Sequence, residues 1–372
     1  MLLEPERRRR AMAATCCFLF FALLALACAT SCTASKVAQE AAPPEPEPEK
    51  PPTNPLTGEV VSSPELITRR PLAVKVENDP QARPQSGIVD ADLVYEELVE
   101  GGVTRFICVY LSKDPAVIGP CRSARPSDVD ICYYLDPLLA CSGGERRVVA
   151  SIRASGMLYI EEDKSHFWRD RSRRAPHNLY TSSALLRQYL AELGDTYKGL
   201  PDSGLAFMEL TADAAESQEL EGEPEEAEQS TEGRALWLPA TSLEVLYKMS
   251  ACAASYQYDP ASDAYLHSIN GAPHHDRTTG GRVAPRNVIV QTVKLTGSGI
   301  KDVTGSETPL SQVIGSGKCL VFSGGRVCCG TWRKDNRYSP TLFLDSGGNP
   351  ITLRPGQTWI HLVSEDIQTS YR

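Results

Sequence analysis

The sequence predicts an α+β fold, with a mixed α/β N-terminal domain followed by an antiparallel β-rich C-terminal domain. Three observations predict it. Helical spacing of apolar residues is confined to the first half, where it alternates with short apolar strands. The second half is a series of short alternating runs separated by Gly, Asn and Asp-Pro turns, the pattern of an antiparallel sheet, sandwich or open barrel. Between the halves lies an acidic stretch too polar to hold a core.

Arg7 to Arg10 form a positive segment, Ala11 to Ala27 an uncharged apolar run, and Ala29-Thr30-Ser31-Cys32 a set of small residues ending on cysteine. Residues 1–32 therefore read as a secretory signal of the lipoprotein type. Cys32 is the expected lipidation site and Cys28 the alternative. Two acyl chains on that thiol anchor a protein stably, which places the chain at the outer face of the cytoplasmic membrane, in extracytoplasmic space. An uncleaved membrane-spanning helix is the competing reading, but the apolar run is short for a span. Residues 33–53, rich in Ala, Pro, Glu and Lys, read as a semi-extended tether.

The mixed domain is expected over 54–210, an acidic disordered linker over 211–235 and the β-rich domain over 236–372. The net charge of −9 is local, because 211–233 holds nine acidic residues and no basic one. The remainder is charge-balanced, which excludes the basic footprint of a nucleic-acid protein. Of twelve cysteines, eight lie beyond the signal. An even count outside the membrane permits disulfides of unassigned pairing, whereas Cys108, Cys132 and Cys319 sit in apolar runs where cysteine acts as a small hydrophobe. Cys328 and Cys329 are adjacent and would point to opposite faces of a strand.

In chain order, Leu72–Glu77 reads as a strand ended by Asn78-Asp79-Pro80. Residues 92–100 and 103–111 read as a hairpin about a two-residue Gly101-Gly102 turn, with a helix over 91–100 as the competing reading. A short strand at 138–141 leads through Gly143-Gly144 into a helix ending at Ser155, stopped by Gly156. Thr181 or Ser182 caps a helix carrying Leu185, Leu186, Tyr189 and Leu190. Strands follow at 255–258, 264–269, 288–295, 318–322, 327–332, 341–344, 351–353 and 358–363.

Several long strings carry a resemblance: RPLAVKVEND (70–79), ARPQSGIVDADLVYEELVEGGVTRF (82–106), IGPCRSARPSDVD (118–130), FWRDRSRRAPHNLYTS (167–182), GTWRK (330–334) and PGQTWIHLV (355–363). In this order they resemble the YerB-like bacterial lipoproteins, the family of domain of unknown function 3048. The resemblance implies a membrane-anchored extracytoplasmic protein with an N-terminal mixed part and a β-rich C-terminal part, and implies no activity. It also favours the filler reading of Cys108, Cys121, Cys132 and Cys141.

Three groups of residues could carry chemistry. A two-residue turn sets Arg105 opposite Leu98 and diagonal to Glu96 and Glu100, a carboxylate–guanidinium cluster on one sheet face; a structural ion-pair network is the plain reading. Arg122-Ser123-Ala124-Arg125-Pro126 is a loop, since Pro126 turns Arg125 from helical angles, and two arginines can fork a carboxylate or phosphate, unless they merely pair with Asp128 and Asp130. Trp168, Arg169, Asp170, Arg173, His177, Asn178 and Tyr180 form a basic, aromatic loop suited to anions or to sugar rings, against a merely solvated basic loop. The His274-His275-Asp276 turn has only His267 nearby in sequence, so no metal site is expected, and no cofactor motif is present.

The leading expectation is a binding module in which Arg105, Arg122, Arg125, Arg169, Arg173 and His177 hold an anionic or glycan cell-envelope ligand. The second is an envelope-glycan hydrolase or transferase, with Glu96 or Glu100 as acid or base and His177 as proton shuttle. It requires Glu96 and Arg105 to converge in one cleft. The third is a scaffold for a wall-synthesis protein.

Overall fold

A computed structural model describes residues 51–209, 235–301 and 305–372. The signal segment with Cys28 and Cys32, the tether up to residue 50 and the acidic segment 210–234 lie outside the described residues. The described residues between Pro51 and Arg372 form one compact unit.

The first half holds β1 (Leu72–Glu77), β2 (Leu93–Leu98), β3 (Thr104–Tyr110), α1 (Asp128–Cys132), β4 (Leu138–Cys141), α2 (Arg146–Ser155), β5 (Tyr159–Glu161), β6 (Trp168–Arg169), β7 (Leu179–Tyr180), α3 (Ser183–Glu192) and β8 (Ala206–Phe207). The second half is strand: β9 (Trp237–Pro239), β10 (Ser242–Leu246), β11 (Ala254–Asp259), β12 (Ala264–Ile269), β13 (Ala272–Pro273), β14 (Asn287–Thr292), β15 (Lys294–Lys301) and β16 (Glu307–Gln312). The series ends with β17 (Gly315–Ser323), β18 (Arg326–Lys334), β19 (Leu342–Leu344), β20 (Thr352–Leu353), β21 (Thr358–Val363) and β22 (Gln368–Tyr371). The fold is α+β and β-rich.

An eleven-stranded mixed sheet runs β19-β18-β17-β14-β21-β2-β3-β1-β4-β5, with β9 paired to β18. Its centre is the parallel pairing of β21 with β2, in which Trp359 lies beside Val94 and His361 beside Glu96. Strands from both sides of the acidic segment thus share one sheet. One face carries Tyr95, Ile107, Val109, Leu139, Ile289 and Ile360, packed with Val129 of α1 and Val148 and Ile152 of α2. The other face packs Val74, Phe106, Cys108 and Trp359 against Leu186 and Leu190 of α3. Further along, Val288, Val290 and Phe322 pack against Leu243, Val245 and Tyr256 of a five-stranded sheet ordered β13-β12-β11-β10-β22.

The helices end where their residues dictate. α2 stops at Gly156, whose φ of 79° a side chain would strain. Ser182, not Thr181, caps α3, its Oγ accepting the Leu185 N–H. The eight cysteines beyond the signal are free, seven buried and only Cys329 exposed. Cys328 and Cys329 face opposite ways on β18, as adjacency requires. Burial pushes the Cys108 and Cys319 thiols up to about 12, which suppresses their reactivity. A thiol reagent is therefore expected to titrate one cysteine of native residues 51–372 and all eight in denaturant. Several fast-reacting native thiols would contradict the packing.

Candidate functional site

The β2–β3 hairpin determines which charges meet. Its loop is Glu100-Gly101-Gly102, three residues rather than two, closed by Val99 N–H donating to Val103 O at 2.8 Å. Gly101 and Gly102 both take positive φ, which suits a three-residue loop. The register follows: Glu97 opposes Arg105, Glu96 opposes Phe106 and Leu98 opposes Thr104. This is one residue off the expected register, and a one-residue slip exchanges the two faces of a strand. Arg105 therefore shares its face with Glu97 and with Glu77 of β1, its partner on the other side. Glu96 lies on the opposite face. The expected convergence of Glu96 and Arg105 is overturned, and with it the acid–base mechanism that needed it.

On the Arg105 face the charges form two layers. The deep layer is Lys75, whose Nζ donates to Glu97 Oε1 and, at 2.6 Å, to Asp128 Oδ1. All three side chains are fully buried. Burial pulls the Lys75 ammonium down, but Asp128 and Glu97 outweigh it and its pKa rises. Burial lifts Glu97 to about 7 against the pull of Lys75. Asp128 Oδ2 also accepts the Arg125 N–H at 2.8 Å, so the deep layer fixes the arginine loop above it.

The upper layer lies where parallel β1 and β4 diverge at their carboxyl ends, the usual place for a crevice in such sheets. Residues 121–124 wedge into the split. Arg122 N–H donates to Lys75 O, Ser142 N–H to Arg122 O and Ala124 N–H to Gly143 O. Arg122 Nε lies 3.0 Å from Glu77 Oε1, and His177 Nδ1 approaches the same oxygen at 3.0 Å. Arg125 donates Nε–H and Nη2–H to Glu100 Oε2 at 2.9 and 2.6 Å, while the Thr308 hydroxyl donates to Oε1. Burial raises Glu100, but Arg125 and Thr308 overcome it and hold its carboxyl below the usual range. That is the wrong direction for a general acid at neutral pH. Burial lifts Glu77 despite Arg122 and His177, and its Oε2 is buried without a hydrogen bond.

Arg105 is the most deeply placed arginine of the crevice and is sparsely bonded. It is 8 % exposed, and among the described contacts its guanidinium makes one hydrogen bond, Nη1–H to Ser123 O at 3.0 Å. Burial, then the charges of Arg125 and Arg122, pull its pKa to about 9. Ser123 Oγ lies 3.3 Å from Ser142 Oγ. Arg105, Arg122, Ser123, Arg125 and His177 are thus brought together.

The rest of the basic loop goes elsewhere. Arg169 is held by Glu162 and by Asn178 Oδ1. Arg173 donates to the carbonyls of Ala82 and Pro84, and Asn178 to those of Asp170 and Arg173. These three pin the loop through partners of their own, apart from the arginine crevice. Trp168, Asp170 and Tyr180 line a separate hollow of about 260 Å³.

On the opposite face Glu96 is sealed. Its Oε1 accepts from Thr104 Oγ1 at 2.7 Å and its Oε2 from Trp359 Nε1 at 3.1 Å. Burial lifts it to about 7. His361 is bonded at both ring nitrogens to tyrosine hydroxyls, Tyr247 at 2.9 Å and Tyr256 at 2.8 Å, and burial lowers it to about 3. Beside it runs a directed chain. Gln85 Nε2 donates to Glu77 O, so its Oε1 accepts from His274 Nε2–H at 2.9 Å. His274, held neutral by burial with a pKa near 3, then accepts at Nδ1 from His267 Nδ1–H at 3.0 Å. The Nε2 of His267 remains buried without a partner.

Sequence reasoning passed over Lys75, Glu77 and Glu97, and weighed Asp128 only as a partner of the loop arginines. A signal existed: lysine and glutamate alternating inside an apolar strand must find partners if the strand is buried.

Fold and crevice together define a β-rich α+β protein whose two sequence halves share one sheet and whose arginines gather where two parallel strands part. The chain belongs to the DUF3048 family: residues 56–196 match the "Protein of unknown function (DUF3048) N-terminal domain" and residues 243–360 match its C-terminal domain. It is 30% identical over 319 residues to "Putative lipoprotein YerB" of Bacillus subtilis (strain 168), covering 83% of this chain and 86% of that protein. It is also similar to the crystal structure of YerB protein from Bacillus subtilis, with a TM-score of 0.68 and 27% identity, covering 86% of this chain and 99% of the other.

Proposed function

We propose that this chain is a lipid-anchored, extracytoplasmic binding protein at the outer face of the cytoplasmic membrane. Its arginine crevice holds an anionic group, carboxylate or phosphate, of a cell-envelope polymer. The observation that carries this reading is Arg105, a nine-tenths buried guanidinium with a single hydrogen bond, depressed to about 9 by burial and by two neighbouring arginines. A buried cation beside like charges is costly unless a counter-charge arrives. Arg122, on the open side, meets the ligand first. Glu77 and Glu100 hold Arg122 and Arg125 in place. The signal-like N-terminus and the name carried by the relative support the anchoring.

Co-sedimentation of residues 51–372 with purified wall sacculi tests it. Binding is expected to weaken with salt, since screening at physiological ionic strength acts within about 8 Å. Arg122→Ala is expected to lower affinity about tenfold or more, as loss of a charge-assisted bond does. No release of soluble fragments is expected. Binding indifferent to salt and to Arg122→Ala would remove the crevice from the function. Released fragments would make the protein an enzyme. Absence of binding would turn attention to a wall-synthesis partner.

A further inference from the structure

We propose that the hollow beside Trp168 binds a neutral pyranose ring of a glycan chain, as a site separate from the arginine crevice. β6 and β7 pair Trp168 directly with Tyr180, and the two rings lie 6.1 Å apart at 25°. Tyr180 is buried, whereas Trp168 is 36 % exposed, an expensive side chain to leave in water. The hollow it borders measures about 260 Å³ and is completed by Ser86, Val117, Asp170, Arg277 and Thr278. That is slightly below the range of small-molecule pockets, roughly 300–1,000 Å³, and so fits a single ring better than an oligomer laid flat.

The polar groups of the hollow are fixed in advance. Arg277 Nη1 donates to Asp170 Oδ2 at 2.8 Å and lies 3.2 Å from the Tyr180 hydroxyl. Its Nη2 donates to Ser172 Oγ at 3.0 Å, and Ser172 N–H donates to Asp170 Oδ1 at 2.8 Å. A carboxylate, a guanidinium and a phenol therefore stand in set orientations beside an indole, and such preorganisation lowers the entropy cost of binding. A pyranose offers one C–H face and a rim of vicinal hydroxyls. The electron-rich indole face suits the C–H groups, while planar carboxylate and guanidinium groups suit paired hydroxyls. Asp170 neutralises Arg277, so the hollow selects for hydroxyl groups and not for charge. This distinguishes it from the crevice, where the arginines outnumber the carboxylates.

The site is assembled from both halves of the sequence, with Arg277 and Thr278 reaching it from the second half. The loop between β6 and β7 also links the two sites, because it sets Asp170 at the hollow and His177 at Glu77. A glycan bearing acidic substituents would meet both. The sugar site itself goes beyond the anion-binding reading and stands whether or not the crevice is occupied.

The test is calorimetric titration of residues 51–372 with a neutral β-1,4-linked N-acetylglucosamine oligomer. Measurable binding is expected, weakened about tenfold or more by Trp168→Ala and by Asp170→Ala, and unchanged by Arg122→Ala. Unfolding profiles of each variant establish that the fold is kept, and two variants on different walls guard against one of them misfolding. No binding, or binding that survives both hollow variants in folded protein, would overturn the proposal. Loss through Arg122→Ala alone would also overturn it, by moving the sugar to the crevice. Sacculus binding that falls with Arg122→Ala but not Trp168→Ala would leave the anion site standing without the sugar site.

Discussion

Replacing Lys75 with methionine is expected to destabilise the fold by about 3–5 kcal/mol, the cost of removing one partner from a buried ion pair. Methionine nearly matches the length of the lysine stem, so little cavity is made. What is lost is the cation bonded to both Glu97 and Asp128, which lie with Lys75 out of contact with water. Two carboxylates left together cannot both stay ionised, and one must take up a proton at neutral pH. The deficit should therefore be largest at alkaline pH and shrink on acidification. Glu97→Gln in the Lys75→Met background removes one of the two orphaned charges and should recover part of the loss. Urea unfolding of the single and double variants at two pH values measures both effects. A loss below about 1 kcal/mol would be the size of a solvent-exposed pair and would contradict the burial of this layer. Because Asp128 also accepts the Arg125 N–H, the single variant should weaken sacculus binding even where it remains folded.

Acid should unfold the protein along a curve with two slopes. Burial lowers His274 and His361 to about 3 and His267 well below the ordinary value of 6.5. Below pH 6.5 the unfolded chain protonates these histidines and the folded one does not, so stability falls with pH and goes on falling until the folded pKa values are reached. Glu96 and Glu97 act oppositely. Their folded pKa values stand near 7 against an ordinary 4.5. Between those limits the folded state binds the extra protons, and acidification stabilises it. From roughly pH 6 to 4.5 the two glutamates, joined by Glu77 and Asp92, which burial also raises, offset much of the histidine loss and keep the slope shallow. Below 4.5 both glutamates are protonated in either state and their opposition ends. The loss then steepens until the folded histidine values near 3 are reached. His274→Gln keeps a side chain that can bond Gln85 but cannot titrate, and should make the steep limb shallower. A single uniform slope from pH 7 to 3.5, unchanged in this variant, would refute the assignment.

The α+β class, the helices over 146–155 and 183–192, and the strands at 318–322 and 327–332 were legible because each rests on local signals: caps, stops, turns and periodicity. Arg122 and Arg125 were legible as a loop because Pro126 constrains the residue before it. The hairpin at Gly101 was legible as a hairpin but not in register. Two glycines fit a two-residue turn as well as they fit a three-residue loop that begins at Glu100. That single residue moved Glu96 from the crevice to the sealed face and put Glu97 in its place. Nor could alternation in 358–363 show that this strand pairs with β2, since pairing partners far apart in sequence leave no local mark. The acidic segment marks a boundary in composition, and the sheet crosses it.

The pairing of β21 with β2 has a consequence for how the molecule assembles. Trp359 and Glu96, bonded across it, are 263 residues apart. Contacts of such separation close late and slowly. Until β21 arrives, the first half presents the bare edge of β2, an open template for pairing with other chains. A protein read as exported across a membrane would meet that interval on the far side, where its own late strand has yet to emerge. The exposed edge therefore makes the nascent first half the form most in need of protection until β21, and not the first core, covers it.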